Sequence, residues 1–307
     1  MKAAVVGTGW GRVHVHALRR SGVQVMAVCG APQDATRTRA FAAEEHIPLA
    51  LDDPRSVLDL GVDLVTVATP ARTHLDMLTL FSDVPVICEK PVGGVDGDLS
   101  RLSTSRAPSY INYAFPFLDS AKVFTRALHR LGAPSRVSVA TAYDLPLTFT
   151  GPEWFLEVAS HPLSLVVHLL GEPALLQGST TTEPHDITRL DLAIGDVEVQ
   201  ALCSHQPGMH GLQHTIEART DAGVLHLSGA FHRGQPWRFE PVRLDGVPLN
   251  DGEWSADDCW RRANDRSIAA ILEAIRTDLA PEHAAAAGLF TQSRAAAVDR
   301  CLQQALS

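Results

Sequence analysis

Met1-Lys2-Ala3-Ala4-Val5-Val6-Gly7-Thr8-Gly9-Trp10-Gly11-Arg12 opens the chain, and the order of its residues decides the fold. A short apolar run reads as a strand, three glycines as a tight turn, and Arg12 to Arg20 carries apolar residues at helical spacing. In that context glycines let the backbone approach a pyrophosphate at a helix N-terminus, so Gly7, Thr8, Gly9, Trp10, Gly11 and Arg12 are candidate dinucleotide-binding residues. The third glycine comes one position early, with Arg12 where the usual spacing has a small residue. The alternative is a plain glycine turn in a sheet protein. An acid about 20 positions after the glycines would hold the adenine ribose 2′-hydroxyl. Gly30-Ala31-Pro32 stands there instead, and Arg37 and Arg39 follow, so a guanidinium is available for a 2′-phosphate. NADP(H) is therefore favoured and NAD(H) is the other possibility. The bland reading of Arg37 and Arg39 is a solvated helix face.

Outward from this turn, strands alternate with helices. Apolar runs at Val23 to Cys29, Leu64 to Thr69, Val84 to Cys88 and Tyr110 to Tyr113 are separated by helical patterns at Ala35 to Glu45 and Thr73 to Phe81. Strands apolar on both faces belong in a sheet covered by helices on both sides, which predicts a doubly wound α/β (Rossmann) domain over 1–113. From 114 to 307 the pattern predicts an α+β domain with an open, mainly antiparallel sheet. A helix near Asp119 to Leu131 precedes alternating runs at Val137 to Tyr143, Arg189 to Ile194, Val197 to Ser204 and Val224 to Leu227. Glycine turns lie at Ile194-Gly195-Asp196 and Asp221-Ala222-Gly223, and helical segments Ser267 to Leu279 and Ala295 to Leu306 close the chain.

Composition narrows the function classes. The 307 residues carry a net charge of -9, which disfavours nucleic acid and anionic membrane as partners, and 45% hydrophobic residues suffice for buried cores. No export signal or membrane span is expected, since Leu163 to Leu170 is far shorter than the roughly 20 apolar residues a span needs. Five scattered cysteines without a C-x-x-C pair suggest neither a disulfide framework nor a zinc knuckle and fit a reducing cytoplasm. Cys203, His205, His210 and His214 raise a metal question, but Pro207, Gly208 and Gly211 argue against the helix that i, i+4 histidines would need, so no metal is expected.

At Thr69-Pro70-Ala71-Arg72-Thr73-His74, followed by Val86-Ile87-Cys88-Glu89-Lys90-Pro91, the chain resembles the GFO/IDH/MocA family of NAD(P)-dependent oxidoreductases. The resemblance extends through Asn112 to Phe117, the helix near Leu163 to Gly171 and the C-terminal helical segment. It implies a Rossmann domain and then an open sheet that holds a small-molecule substrate on one face and often mediates homo-oligomerisation, as dimer or tetramer, on the other. It places Thr69, Pro70, His74 and Glu89 with the cofactor, and Lys90 beside the nicotinamide, where it exchanges a proton with substrate. The proline of this motif commonly follows a cis peptide.

Glu157-Val158-Ala159-Ser160-His161-Pro162-Leu163-Ser164-Leu165-Val166-Val167-His168-Leu169-Leu170-Gly171 is the second constellation. Its signals predict a helix capped by Ser160, with Pro162 in its first turn and Gly171 at its end. His161, Ser164 and His168 then share a face. The family's D-x-G-x-H-x-x-D pattern is altered: Glu157 and Ala159 replace the first Asp and the Gly, and Ser164 replaces the second carboxylate. Lys90 with His168 or His161 is the candidate acid/base pair, and a hydrogen-bonded core histidine is the alternative for each. Phe115, Trp154, His161, Ser164, His168 and Lys90 are the candidate substrate residues, with Phe117 and Tyr143 nearby in the pattern. A sugar-like or cyclitol-like carbonyl or alcohol is the first substrate class. Few carboxylates and a weaker similarity to thiazolinyl imine reductases raise NADPH-dependent imine reduction as an alternative, and a non-catalytic nucleotide sensor as another.

Overall fold

The computed structural model describes residues 1–104, 106–145, 151–181, 187–249 and 259–306. Two compact units emerge: Met1–Tyr113 with Asn264–Ala296, and Ala114–Ala263 with Ala297–Ser307. The sequence reading also turns at 113, but it assigned everything beyond to the second unit. The segment Asn264–Ala296 belongs with the first.

In the first unit, β1 (Lys2–Val6), β2 (Gln24–Cys29), β3 (Leu49–Leu51), β4 (Leu64–Val67), β5 (Val86–Glu89) and β6 (Ser109–Asn112) lie parallel in the order 3-2-1-4-5-6. Helices α1 (Gly11–Arg20), α2 (Ala35–Glu44) and α3 (His74–Leu80) make crossovers between them. Strands β4, β5 and β6 are buried at every position, as strands covered by helices on both faces are, and the polar ends of β5 and β6, Glu89 and Asn112, are buried with them. The order reverses direction between β1 and β4, and ligands of such sheets bind outside the carboxyl ends of the strands at that reversal.

The second unit begins with α4 (Asp119–Leu131), β7 (Arg136–Tyr143), α5 (Gly151–Leu170) and β8 (Ala174–Thr181). Next come β9 (Ile187–Ile194), β10 (Val197–His205), β11 (Gly211–Thr220) and β12 (Gly223–His232). Short pieces β13 (Arg238–Phe239), β14 (Arg243–Leu244) and β15 (Val247–Pro248) complete the sheet. Among the described residues it runs 15-14-12-11-7-10-9-8, with β13 on β12, and every pair except β7 with β10 is antiparallel. Gly195, at φ 58°, turns β9 into β10, as its sequence position suggests. Helix α5 packs on β7, β9, β10 and β11. Among the described residues, Val139, Ala201 and His214 are buried on one face of the sheet, while Ala140, Leu202 and Gln213 are exposed on the other.

Helix α5 starts nearly ten residues earlier than the sequence reading placed it, so Ser160 is no cap and Pro162 lies in the helix interior. An interior proline forfeits one backbone bond and costs about 3 kcal/mol. Burial of Leu156, Val158, Ala159, Leu163, Leu165, Val166 and Val167 outweighs that cost. Gly171, at φ 109°, does close the helix.

The chain then runs through α6 (Cys259–Arg276), α7 (Pro281–Ala286), β16 (Phe290–Thr291) and α8 (Gln292–Gln304). Strand β16 pairs antiparallel with β6, adding a seventh strand to the first sheet, and the Phe290 ring lies 4.6 Å from that of Tyr113.

Candidate active site

At the carboxyl end of β1, Gly7 takes φ 112° and its N–H donates to the Cys29 carbonyl at 2.8 Å. A Cβ there would overlap the Ala68 carbonyl, so only glycine fits. A Cβ on Gly11 would meet Val5 at 3.1 Å, so the early glycine performs the close helix-to-strand packing usually made one residue later. Gly9 faces open space, and Trp10 is 44% exposed. A glycine at positive φ, an open glycine and the N-terminus of a ten-residue helix form a cradle of the kind that accepts a pyrophosphate. The residues present therefore fit a dinucleotide.

Arg12 is turned away from that cradle. Its guanidinium pairs with Glu44 (2.6 Å) and Glu45 (3.1 Å) and lies 5.2 Å over the Phe41 ring. Arg37 is exposed on α2 and makes no ion pair among the described residues, while Arg39 donates to Thr36 at 3.4 Å. Gly30, standing where an acid would, has no room for a side chain, because a Cβ would overlap Thr38 Oγ1. Negative charge reaches the end of β2 from Asp53 and Asp52 instead. Burial first, then these two carboxylates, push the Cys29 thiol up to about 12.

Beyond β4, His74 is buried and its two ring nitrogens face carbonyl oxygens, Pro91 O from Nδ1 at 2.7 Å and Thr69 O from Nε2 at 2.8 Å. Thr73 Oγ1 donates to Thr69 Oγ1 at 2.7 Å. The turn Thr69-Pro70 is thus clamped to the segment after β5. The Lys90–Pro91 peptide is cis and Lys90 is half-buried. Glu89 is 9% exposed, and its Oε1 accepts from His14 Nε2 (2.8 Å) and Asn112 Nδ2 (2.7 Å). Asn112 Nδ2 also donates to Asn264 Oδ1 at 3.0 Å. Burial would lift the Glu89 carboxyl, but the hydrogen bond and charge of His14, then Asn112 and Lys90, hold it below the ordinary glutamate range. His14 and Asn264 escaped the sequence reading, which took Asn112 only as the start of a segment resembling the family and gave it no place at the site.

In the second unit, His161 lies among aromatic rings. Its ring meets Trp260 edge-on at 4.8 Å and His214 at 6.0 Å. Trp237 stacks against His214 and Trp260, and Phe115, fully buried, packs edge-on against His214 and Trp260. Ser164 is buried and its hydroxyl donates to the His161 carbonyl at 2.6 Å. His168 is half-buried two turns further along α5. Trp154 is buried and stacks on Tyr143, and Phe117 is buried as well.

His214 lies on strand β11 and shares a 3.0 Å hydrogen bond with Thr141 Oγ1. His205 and His210 flank Asp144, which also accepts the N–H groups of His210 and Gly208. Among the described residues no group of three His, Cys, Asp or Glu is arranged to hold a metal ion.

Residues 1–102 match the model of the GFO/IDH/MocA oxidoreductases, an NAD-binding Rossmann-fold family. The chain is 34% identical over 255 residues to inositol 2-dehydrogenase 4 of Saccharopolyspora erythraea, covering 75% of this chain and 74% of that protein. It is 32% identical over 183 residues to inositol 2-dehydrogenase 1 of the same organism, where the match spans 55% of this chain and 54% of the relative. Solved structures of similar fold include myo-inositol 2-dehydrogenase from Lactobacillus plantarum (TM-score 0.73, 16% identity, 100% of this chain and 97% of that one). An oxidoreductase from Agrobacterium radiobacter, solved with NAD+, L-tartaric acid and magnesium, has a TM-score of 0.72 at 15% identity, covering 100% of this chain and 95% of that one. The chain belongs to the GFO/IDH/MocA family of NAD-binding oxidoreductases. Among the described residues no helix is long and apolar enough to cross a membrane.

Proposed function

We propose that the protein moves a hydride between a nicotinamide dinucleotide and a small secondary alcohol or carbonyl compound of sugar or cyclitol type. The observation that carries this reading is the pairing, in one unit, of the Gly7 cradle at the end of β1 with Lys90 at the end of β5. Gly7, Thr8, Gly9, Trp10 and Gly11 would hold the pyrophosphate, with Thr69 and Pro70 beside the second nucleotide. The nicotinamide, when bound, supplies or accepts the hydride. Lys90 takes the hydroxyl proton as an alcohol is oxidised and returns it in the reverse direction. His161 and His168 on α5 are its proposed partners, and Phe115, Trp154 and Ser164 help shape the substrate wall. The inositol dehydrogenases among the relatives favour a cyclitol.

NADP(H) is the proposed cofactor, with exposed Arg37 meeting the 2′-phosphate. NAD(H) is the second reading, favoured by the charge of Asp52 and Asp53 near the end of β2. A second substrate class, an imine beside an aromatic ring, is favoured by the rings around His161 and by a Ser164 hydroxyl already committed to a carbonyl. By analogy with the family, a homo-oligomer formed through the open sheet face completes the proposal.

The test is calorimetric titration with NADPH and NADH for the wild type, Arg37→Ala and Lys90→Ala, alongside turnover with myo-inositol and other cyclitols. NADPH binding that weakens about tenfold in Arg37→Ala, and turnover lost in Lys90→Ala with binding kept, are the expected results. NADH preference would move the assignment to the aspartates. Wild-type binding without turnover on any alcohol, carbonyl or imine would leave a nucleotide sensor.

A further inference from the structure

Glu89 holds a charge that its hydrogen bonds do not require. Its Oε1 accepts from His14 and Asn112, and a glutamine carbonyl in the same place would accept both donors. Burying an anion costs far more than burying an amide, and the network offsets that cost with charge-assisted hydrogen bonds. Four elements of the first unit contribute to it: His14 from α1, Glu89 from β5, Asn112 from β6 and Asn264 from α6. Its hydrogen bonds and the neighbouring Lys90 keep the carboxyl ionised against its burial.

Sheet topology says where this charge acts. Strands β1, β2 and β3 lie on one side of the reversal and β4, β5 and β6 on the other. The glycine cradle and the ribose-reading position at the end of β2 belong to the adenosine half of a doubly wound site. The ends of β4, β5 and β6 therefore receive the nicotinamide half, and Glu89 is the last residue of β5. An oxidised nicotinamide ring is cationic and a reduced one is neutral. A fixed charge near that ring changes the affinity of one form and not the other.

We propose that the buried Glu89 carboxylate is a positioning residue that biases the site toward the oxidised nicotinamide, with His14 and Lys90 as the opposing charges, so that this cluster sets the ratio of affinities for the two redox forms. The inference rests on the dinucleotide reading of the first unit. Favouring the oxidised form makes the bound reduced cofactor a stronger hydride donor to substrate.

The experiment measures dissociation constants for the oxidised and reduced forms of whichever dinucleotide binds, at one pH and ionic strength, in the wild type, Glu89→Gln and Lys90→Met. Glu89→Gln should raise the ratio of Kd(oxidised) to Kd(reduced) by about fourfold or more, the size of effect a unit charge exerts across a partly solvated site. Lys90→Met should lower it. A merely structural role for Glu89 would weaken both forms alike and leave the ratio unchanged, which overturns the proposal. If Glu89→Gln does not fold, the half-buried Lys90 carries the test, and an unmoved ratio in Lys90→Met is equally decisive against it. Failure of the wild type to bind either form would overturn the dinucleotide reading, and this inference with it.

Discussion

Gly7 and Gly9 are two positions apart and differ in what surrounds them. A Cβ on Gly7 runs into the Ala68 carbonyl at a positive φ, whereas a Cβ on Gly9 meets nothing within 4 Å. Gly7→Ala should therefore destabilise the fold by about 2 kcal/mol or more in chemical denaturation. Gly9→Ala should leave stability within about 0.5 kcal/mol and weaken dinucleotide binding, because only the ligand needs that space. Equal stability losses in the two variants would contradict this division of labour. The glycines themselves are legible in the sequence, since their order after a strand is the signal. The missing acid at Gly30 is legible too, but its cause is not, because Thr38 comes to oppose it only when α2 is laid on the sheet. Arg12 shows the limit of position as evidence: it sits in the motif and points to Glu44 and Glu45.

Elements meet through partners far apart in the chain, and there the sequence is silent. Glu89 finds His14 75 positions away, Asn112 23 away, and Asn112 finds Asn264 152 away. No periodicity links such residues. Short or exposed strands, β3 and β8 among them, also escape pattern reading, and α5 misleads because Pro162 imitates a helix start while packing carries the helix through it. The Glu89 network gives these elements a pH-dependent bond. A carboxyl held below its unfolded value contributes stability above the unfolded range, and that contribution is lost as pH falls through the folded-state value. In Glu89→Gln, urea unfolding should show a flatter acid limb, with stability at neutral pH lowered by about 2 kcal/mol through loss of charge-assisted bonds. His14 and Lys90 lie beside this group, so the limb should be compared in their variants as well. An acid limb as steep in Glu89→Gln as in the wild type would remove Glu89 from the account.

At the scale of the whole molecule, the open face of the second sheet is where association should show. Leu202 is 38% exposed there, beside Ala140 across the β10–β7 pair and Thr215 beyond it on β11. Leu202→Asp should shift the protein to a smaller species in light scattering after size exclusion, with cofactor affinity unchanged, if this face joins copies of the chain. A wild type that already runs as a monomer would dismiss that arrangement. The sheet as a scaffold was readable from alternating runs and glycine turns, whereas the assignment of Asn264–Ala296 to the first unit was not, because β16 is two residues long. That small strand has a consequence in time. The edge of β6 leaves the ribosome first and its partner follows only on the order of ten seconds or more later. Throughout that interval the nascent nucleotide-binding half carries an unfinished edge strand, a surface open to mispairing with other chains, and it is the region a holding chaperone would be expected to cover.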